Sequence, residues 1–378
     1  MNPDELFGKN DYTTFAEIDP FNKQNFVEGV ISRKSNEYYG AIIVQKVNNK
    51  PCEQLIMATP KMHYPFGKTE TEERNCHFPK AKQIEIYEKL DGTNVLSYFY
   101  LDAEGNRYMS FKTRLRPFLA SSKFGNFHDM WIEVAKEQWK DIRDTMTKFN
   151  CNLSFEMYGS RNPHLVVYDV PLSFSLLFGV TSNGNILAPS DLGYGRYEAS
   201  IIPAKLINVV TKDYVWNYTE NQKNLEAKLK KVDDNYYSGV EGTVWYLKTP
   251  EGRCIQFKCK PETIETIHFA QGAGLGKNTI VATCWNALEN VDEVTVEFVK
   301  QLLTEEFDPR IVEANHYLIE KSVQFVMSEL HYRVKVLDEY RKTGLSFLSD
   351  KVSVMRALSS IFSKGEMKKV YAIVRDFA

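Results

Sequence analysis

The sequence has no long hydrophobic segment. None of its apolar runs approaches the roughly 20 residues that a membrane-spanning helix needs. Its first ten residues, MNPDELFGKN, contain no apolar run of the kind found in secretory signals. These absences argue against a helical membrane protein and predict a soluble protein of the cytoplasm that does not act at a membrane.

Cysteine is scarce and scattered. The six cysteines stand at positions 52, 76, 151, 254, 259 and 284, and no two of them form the C-x-x-C pair of a zinc site. In a chain of 378 residues, isolated cysteines of this kind are typical of reduced thiols in an intracellular protein.

The two signs of charge nearly cancel. Lysine and arginine number 47, aspartate and glutamate number 49, and the formal net charge is −2 at pH 7. Because no overall positive field exists, a nucleic-acid partner would have to be bound by a local basic groove. The hydrophobic share of 43% is ordinary for a globular protein, and the length predicts two or three domains.

The hydrophobic pattern changes along the chain. From about residue 25 to residue 260, short β-rich runs alternate with turn residues, and residues 131–143 have helical spacing. Beyond about residue 270, helix-periodic segments begin at Val294, Ile319 and Val352. An α+β body followed by a helical domain is therefore predicted. Its predicted strands include residues 41–44, 54–58, 94–101, 153–158, 164–168, 175–180, 243–247 and 255–258.

The segment GAGLGKN at 272–278 looks like a phosphate-binding loop but does not fit one. A Walker loop has four residues between its first glycine and its Gly-Lys pair, and then serine or threonine. Here three residues intervene and Asn278 follows the lysine. We interpret residues 271–278 as a hinge or linker between the two domains.

The most specific motif is EKLDGTN at 88–94, between two strand-like runs. A lysine attacks as a nucleophile only when it is neutral, and its ordinary pKa is about 10.4. Burial and nearby cations lower that pKa. The Asp91-Gly92 turn is suited to holding the Lys89 amine at a strand end, although D-G turns are also common in plain hairpins.

This motif resembles the nucleotidyl-lysine motif of ATP-dependent ligases and messenger-RNA capping enzymes. Further motifs of that superfamily follow in order, over about residues 40–265. They are FKTR at 111–114, SFEMYG at 154–159, SLLFGV at 175–180, EGTV at 241–244 and FKCK at 257–260. The resemblance implies a nucleotidyltransferase (ATP-grasp-like ligase) domain of antiparallel sheets with helices at 1–270. It includes a β-rich subregion at about 1–75, and an all-helical domain follows at 271–378.

The resemblance also implies roles for individual residues. Lys89 would attack ATP and carry AMP, while Lys258 and Lys260, two apart on one strand face, would neutralise phosphate charge and lower the pKa of Lys89. Glu156 and Glu241 would bind Mg²⁺ or Mn²⁺ or contact the nucleotide. The other nucleotide contacts would be Glu88, Asn94, Lys112, Arg114 and Phe178, of which Phe178 would stack on adenine and the Lys112–Arg114 pair would share one strand face.

Each of these residues also has a plainer interpretation. Alternating lysines on a strand are often a solvated edge, and a phenylalanine in an apolar run is usually core. A lone glutamate is usually a surface charge. It is the ordered set of motifs that favours the functional interpretation.

The predicted helical C-terminal domain departs from DNA ligases and capping enzymes, which append an OB-fold. It resembles that of phage RNA ligases of the tRNA-repair type, as do the stretches ATPKMHYPF at 58–66 and FEMYGSRNPHLVVY at 155–168. That class carries an arginine in an R-G-I strand before the lysine motif, where this chain has Tyr39-Gly40-Ala41-Ile42, and Arg33 lies out of register. Archaeal circularising RNA ligases are an alternative subclass.

The predicted function is thus an ATP-dependent RNA ligase that joins 5′-phosphate and 3′-hydroxyl ends of single-stranded RNA or broken tRNA, in RNA repair. A phage-encoded chain would act in the host cytoplasm. The alternatives are a guanylyltransferase-type capping enzyme, another nucleic-acid ligase, and a catalytically silent RNA-end-binding module.

Overall fold

A computed structural model of the chain describes residues 1–9, 11–34, 36–66, 78–122, 125–162, 164–193, 201–211, 216–232, 237–268, 275–288, 290–304, 307 and 309–377. The chain divides into two compact units. The first runs from Met1 to Gly272 and includes two short segments from later in the chain. The second consists of the remaining chain from Ala273 onward.

The first unit is built mainly from antiparallel strands. The strands are β1 (Tyr12–Ile18), β2 (Phe26–Ser32), β3 (Ile42–Val47), β4 (Lys50–Ile56), β5 (Gln83–Lys89), β6 (Thr93–Leu101), β7 (Arg107–Lys112), β8 (Ser121–Ser122), β9 (Gly125–Asn126), β10 (Cys151–Tyr158), β11 (Ser173–Thr181), β12 (Ile186–Leu187), β13 (Leu206–Thr211), β14 (Lys230–Lys231), β15 (Tyr237–Ser238), β16 (Gly242–Lys248) and β17 (Cys254–Cys259).

Three larger sheets organise these strands. One is the meander β1-β2-β3-β4, the second has the order β12-β11-β10-β6-β7, and the third has the order β13-β5-β16-β17. Their neighbouring strands pair antiparallel throughout. Strands β5 and β6 are consecutive in sequence but belong to different sheets, so the chain changes sheet at residues 90–92.

Helices complete the two units. Those of the first unit are α1 (Pro3–Leu6), α2 (Phe127–Ala135), α3 (Trp139–Phe149), α4 (Tyr218–Glu226) and α5 (Glu262–His268). Those of the second are α6 (Lys277–Ala287), α7 (Val296–Thr304), α8 (Pro309–Ala314), α9 (His316–Lys342), α10 (Lys351–Leu358) and α11 (Met367–Phe377). The prediction of an α+β fold with a helical C-terminal region is confirmed.

One local prediction about a helix is wrong. The helix expected over residues 131–143 is broken by a 3₁₀ turn at Lys136–Gln138, and Trp131 on α2 and Ile142 on α3 both pack into the same core. Of the hinge expected at 271–278, residues 271–274 lie outside the described residues, and its last two residues belong to α6, which begins at Lys277.

A third correction concerns residues 164–168, which the β-branched run predicts to be a strand. Val166 makes only an isolated bridge to Tyr237. The Val166 N–H donates to the Asp91 carboxylate at 2.8 Å, so a side chain takes the place of a ladder partner.

One hydrophobic cluster of the second unit is formed by α9, α10, α11 and the residues between them, and it includes Val336, Phe347, Val354, Leu358 and Val374. Among the described residues, no helix combines the length and the apolar character that a bilayer crossing requires.

Candidate active site

Lys89 is the last residue of β5 and lies where the chain leaves one sheet for another. In the ladder between β5 and β16, it pairs with Gly242. The next residues, 90–92, lead directly into β6 of the neighbouring sheet. A side chain at such a point is held by regular backbone on one side and a tight turn on the other. The Asp91-Gly92 pair therefore lies in a short bend between the two sheets, directly after the strand that carries the lysine.

Gly92 allows this turn to press against β10. A Cβ placed on Gly92 would lie 2.2 Å from the Met157 carbonyl oxygen, which excludes any other residue without a backbone shift. The Gly92 N–H donates to Glu156 Oε1 at 3.0 Å. The turn after Lys89 thereby brings the carboxyl of Glu156 to the lysine motif.

Asp91 anchors the other side of the turn. Its Oδ2 accepts the Val166 N–H, and its own backbone N–H donates to the Tyr168 hydroxyl at 2.7 Å. Burial raises the pKa of Asp91 to about 6, and the charge of Glu241 adds to that rise. The side-chain amide of Asn162 donates a hydrogen bond to the Thr93 hydroxyl at 3.1 Å. Sequence reasoning gave no role to Asn162 and Tyr168, whose contacts are visible only in the fold.

Glu241 lies between two lysines that are remote in sequence. Its Oε2 accepts from Lys89 Nζ, and its Oε1 is 2.7 Å from Lys260 Nζ. Only 2% of Glu241 is exposed. Burial opposes ionisation of this carboxyl, but Lys260 and Lys89 outweigh it and hold the pKa of Glu241 well below its usual range. The motifs at 88–94, 241–244 and 257–260 thus converge on one buried ion cluster.

The position of Glu241 changes one expectation from the sequence. We expected two lysines beside Lys89 to favour its neutral form by like-charge repulsion. In the structure, the carboxylate of Glu241 is bound to Lys89 directly. Any attack by the Lys89 amine therefore requires that Lys89 first leave this ion pair.

Lys258 lies on the same sheet face as Lys89. It pairs with Val244, which pairs in turn with Tyr87, two residues before Lys89. Its ammonium is 4.4 Å from the centre of the Tyr64 ring, a cation–π distance. Lys260 follows the end of β17 and is buried. Both lysines of the FKCK motif are therefore on the face that carries Lys89, with Lys260 in contact with its carboxylate partner.

No protein-family model matches the chain, and no curated protein matches it. Among solved structures, it is similar to an archaeal ATP-dependent RNA ligase in two forms, both at 14% identity. Form 2 has a TM-score of 0.47 over 85% of this chain and 77% of that chain. Form 1 has a TM-score of 0.45 over 82% of this chain and 75% of that chain. A mutant Naegleria gruberi RNA ligase with ATP and Mn has a TM-score of 0.35 at 12% identity, over 68% of this chain and 98% of that chain. Similarities of this size assign no family or activity to the chain.

Lys112 does not occupy the place expected of it. Strand β7 ends at Lys112, so the strand face that it was predicted to share with Arg114 does not exist. The Lys112 side chain is buried and its Nζ donates to three backbone carbonyls. Burial lowers the pKa of Lys112 strongly, and the charge of Arg114 adds to that effect. In this structure Lys112 is not available to bind ribose or phosphate.

Arg114 and Asn94 do reach the site. Asn94 pairs with Glu156 across β6 and β10, and its Nδ2 donates to Ser154 Oγ and to the Phe155 carbonyl. Asn94 Oδ1 and Arg114 Nε are buried without a hydrogen-bond partner. Buried polar atoms are nearly always paired, so these two unpaired atoms fit a polar ligand such as a nucleotide.

Two expected nucleotide contacts face elsewhere. Phe178 is 1% exposed and packs against Tyr87, Leu90 and Tyr246, so its ring offers no free face for adenine and the core alternative is the correct one. Glu88 is adjacent to Lys89 on β5, and alternation along the strand directs its side chain to the opposite sheet face. Burial raises the pKa of Glu88, and Lys205 counteracts that rise.

A divalent metal would find two carboxylates here. Among the described residues, no group of three or more His, Cys, Asp or Glu side chains is placed to bind a metal ion without other ligands. Glu156 and Glu241 suit Mg²⁺, which prefers one or two carboxylates completed by water and phosphate oxygens. Burial raises the pKa of Glu156 to about 8, while the charge of Lys89 opposes that rise. Glu156 is therefore the carboxyl that a bound cation would deprotonate.

The raised pKa of Glu156 predicts a specific pH dependence of stability. Its ordinary pKa is 4.5, and the folded protein raises it to about 8. Between these two pH values, Glu156 keeps its proton in the folded protein but loses it in the unfolded chain. The free energy of unfolding therefore decreases as pH rises from about 4.5 to 8. Glu156→Gln does not titrate. Its melting temperature relative to wild type should rise over this interval in metal-free buffer.

The matched control is Glu137→Gln, at an exposed glutamate of the same unit. Calorimetric melting temperatures measured across the interval should diverge from wild type for Glu156→Gln and not for Glu137→Gln. A constant difference between Glu156→Gln and wild type at every pH would contradict the burial effect.

Proposed function

We propose that this protein is an ATP-dependent RNA ligase that works through a lysyl adduct. The observation that carries the proposal is the convergence of Lys89, Lys260 and the carboxylate of Glu241, with Glu156 beside the turn that follows Lys89. A nucleophilic amine, cations for phosphate and two carboxylates for a metal are the groups that nucleotidyl transfer requires.

In the first step, the Lys89 amine attacks the α-phosphorus of ATP. A nitrogen–phosphorus bond forms, the bond to the β-phosphate oxygen breaks, and pyrophosphate leaves. Negative charge grows on the phosphate oxygens during this step, and Lys260 and Lys258 are placed to stabilise it. Mg²⁺ or Mn²⁺ on Glu156 and Glu241 would supply further charge neutralisation and orient the pyrophosphate.

Glu241 has a second part in this proposal. Lys89 must leave this carboxylate before its amine can attack, and Lys260 remains bound to the other carboxylate oxygen. A metal ion held by Glu241 would replace Lys89 as the partner of that carboxylate. Arg114 and Asn94 would contact the nucleotide, because each has a buried polar atom available for it.

We further propose that the substrate is RNA with a 5′-phosphate and a 3′-hydroxyl. AMP would pass to the 5′-phosphate, and the 3′-hydroxyl would then displace AMP to form the phosphodiester bond. The helical second unit and the stretches at 58–66 and 155–168 support the tRNA-repair subclass, with Pro163 of the latter outside the described residues. In that stretch Val166 and Tyr168 hold Asp91 of the lysine motif.

The test of the lysine is direct. Lys89→Ala should abolish the attachment of labelled AMP, and Lys89→Arg should also fail because arginine does not deprotonate in proteins. Incubation with labelled ATP or GTP, followed by denaturing electrophoresis, measures the adduct. An Ala variant that still carries AMP would contradict the proposal, and labelling of the wild type by GTP alone would favour a capping enzyme.

The two lysines of the FKCK motif should also control the rate. Lys260→Ala and Lys258→Ala should each slow adduct formation by about 10²–10³-fold, as the loss of a positioned charge-stabilising donor does. Single-turnover labelling at saturating ATP measures this rate. Lys46→Ala, at an exposed lysine on β3, is the control. Near-normal rates in both FKCK variants would return these lysines to the solvated-edge interpretation.

The RNA assignment requires a ligation assay. Wild-type protein should seal 5′-phosphorylated single-stranded RNA in the presence of ATP and Mg²⁺, and sealing should stop when a chelator is added. Matched DNA strands and nicked duplexes test the other ligase classes. A protein that forms the adduct and seals only DNA would overturn the RNA assignment, and one that binds RNA ends without any adduct would favour the end-binding alternative.

A further inference from the structure

Lys112 is a charged side chain placed where no ligand can reach it. Its Nζ donates to the carbonyl oxygens of Gly40 at 3.0 Å, Thr113 at 2.8 Å and Arg114 at 2.8 Å. An ammonium group has three N–H donors, so these three bonds use all of them. A buried lysine with this arrangement organises backbone, because its whole hydrogen-bonding capacity is spent on main-chain oxygens.

The carbonyls come from two segments that are far apart in sequence. Thr113 and Arg114 follow the end of β7, whereas Gly40 precedes β3. The segments meet closely: a Cβ on Gly40 would lie 2.2 Å from the Arg114 carbonyl oxygen, and Gly40 has a φ of +76°. Both the space and the backbone angle therefore require glycine. Lys112 and Gly40 together fix the backbone of Arg114.

The Arg114 side chain is fixed as well. Its guanidinium carbon lies 5.4 Å from the centre of the Tyr39 ring, within the range of a cation–π contact. Its charge lowers the pKa of Glu156, although burial dominates that pKa. The guanidinium is therefore close enough to Glu156, the carboxyl beside the lysine motif, for its charge to act on it.

We propose that Lys112 is a positioning residue for Arg114. Lys112 touches no substrate. Its three hydrogen bonds to carbonyls hold the backbone at Arg114, while Gly40 and the Tyr39 ring pack against that residue. Together these contacts orient the guanidinium toward an oxygen of the bound nucleotide. Position 39, where the resembling ligases have arginine, here carries the ring that supports Arg114. This inference rests on the proposed function, since it names how one nucleotide contact of that site is held.

A double-mutant cycle tests the inference. The variants are Lys112→Met, Arg114→Gln and the double, and the measurements are the KM for ATP and the rate of adduct formation at saturating ATP. Each single variant should raise the KM for ATP, and the increase for a misplaced contact can reach about 100-fold. The double should match Arg114→Gln within about twofold, because residues that act through one contact are not additive. Effects that multiply would overturn the proposal.

Gly40→Ala supplies an independent arm that leaves both cations in place. It crowds the Arg114 carbonyl and should raise the KM for ATP, with no added loss in the Arg114→Gln background. Thermal melting of every variant separates misplacement from unfolding. If Lys112→Met does not fold, the cycle of Gly40→Ala with Arg114→Gln tests the proposal alone. If the two increases in KM multiply in that double variant, the proposal is contradicted. Lys46→Met is the control lysine, and its KM should equal that of wild type.

The same variants distinguish this inference from the proposed function. The cycle is repeated on the equilibrium Kd for ATP, measured by titration calorimetry. A wild type that binds ATP without forming an adduct would overturn the adenylation chemistry alone, and non-additive Kd values would still support the role of Lys112. A wild type that neither binds nor reacts with ATP would overturn both.

Discussion

The carboxylate of Glu241 is the charge on which the rest of the site depends. A buried carboxylate without partners costs several kcal/mol, and Glu241 is offset by Lys89 on one oxygen and Lys260 on the other. These three residues stand at the ends of β5, β16 and β17, which are adjacent strands of one sheet. The ion cluster therefore holds the strand ends together, and its members are the residues to which the proposed function assigns the chemistry.

This arrangement makes the structural and chemical roles of Lys89 exclusive of one another. In its ion pair with Glu241, Lys89 stabilises the site, whereas the proposed attack on ATP requires the same amine to be free of that partner. The exchange between the two states needs something that replaces Lys89 as the partner of Glu241, and a divalent cation has the charge to do so. Lys260 keeps its bond to the other carboxylate oxygen, so the cluster does not lose all of its compensation when Lys89 leaves.

The sequence predicted what depends on strand alternation and turn chemistry, and it failed where partners come from distant segments. The strand-rich body with its helical C-terminal region, the break in the chain after Lys89 and the shared strand face of Lys258 and Lys260 follow from local pattern. Glu241 as the partner of Lys89 does not, because pattern alone does not say which oxygen meets which cation. The errors at Lys112 and Phe178 have the same origin. Both residues match a motif, yet one is saturated by carbonyls of remote segments and the other lies in the core.

The two carboxyls of the site are distinguished by their surroundings. Glu241 has two cations in contact and a lowered pKa, whereas Glu156 accepts one backbone N–H and has a pKa raised to about 8. Where environments push two carboxyl pKa values apart, the two groups take different roles. Lys260 and Lys89 favour the ionised form of Glu241, and under the proposed function Glu241 serves as the fixed charge. A cation bound beside Glu156 would favour the ionised form of that carboxyl as well. Under the same proposal, the ionisation of Glu156 and the departure of Lys89 from Glu241 would both respond to the binding of nucleotide with its metal.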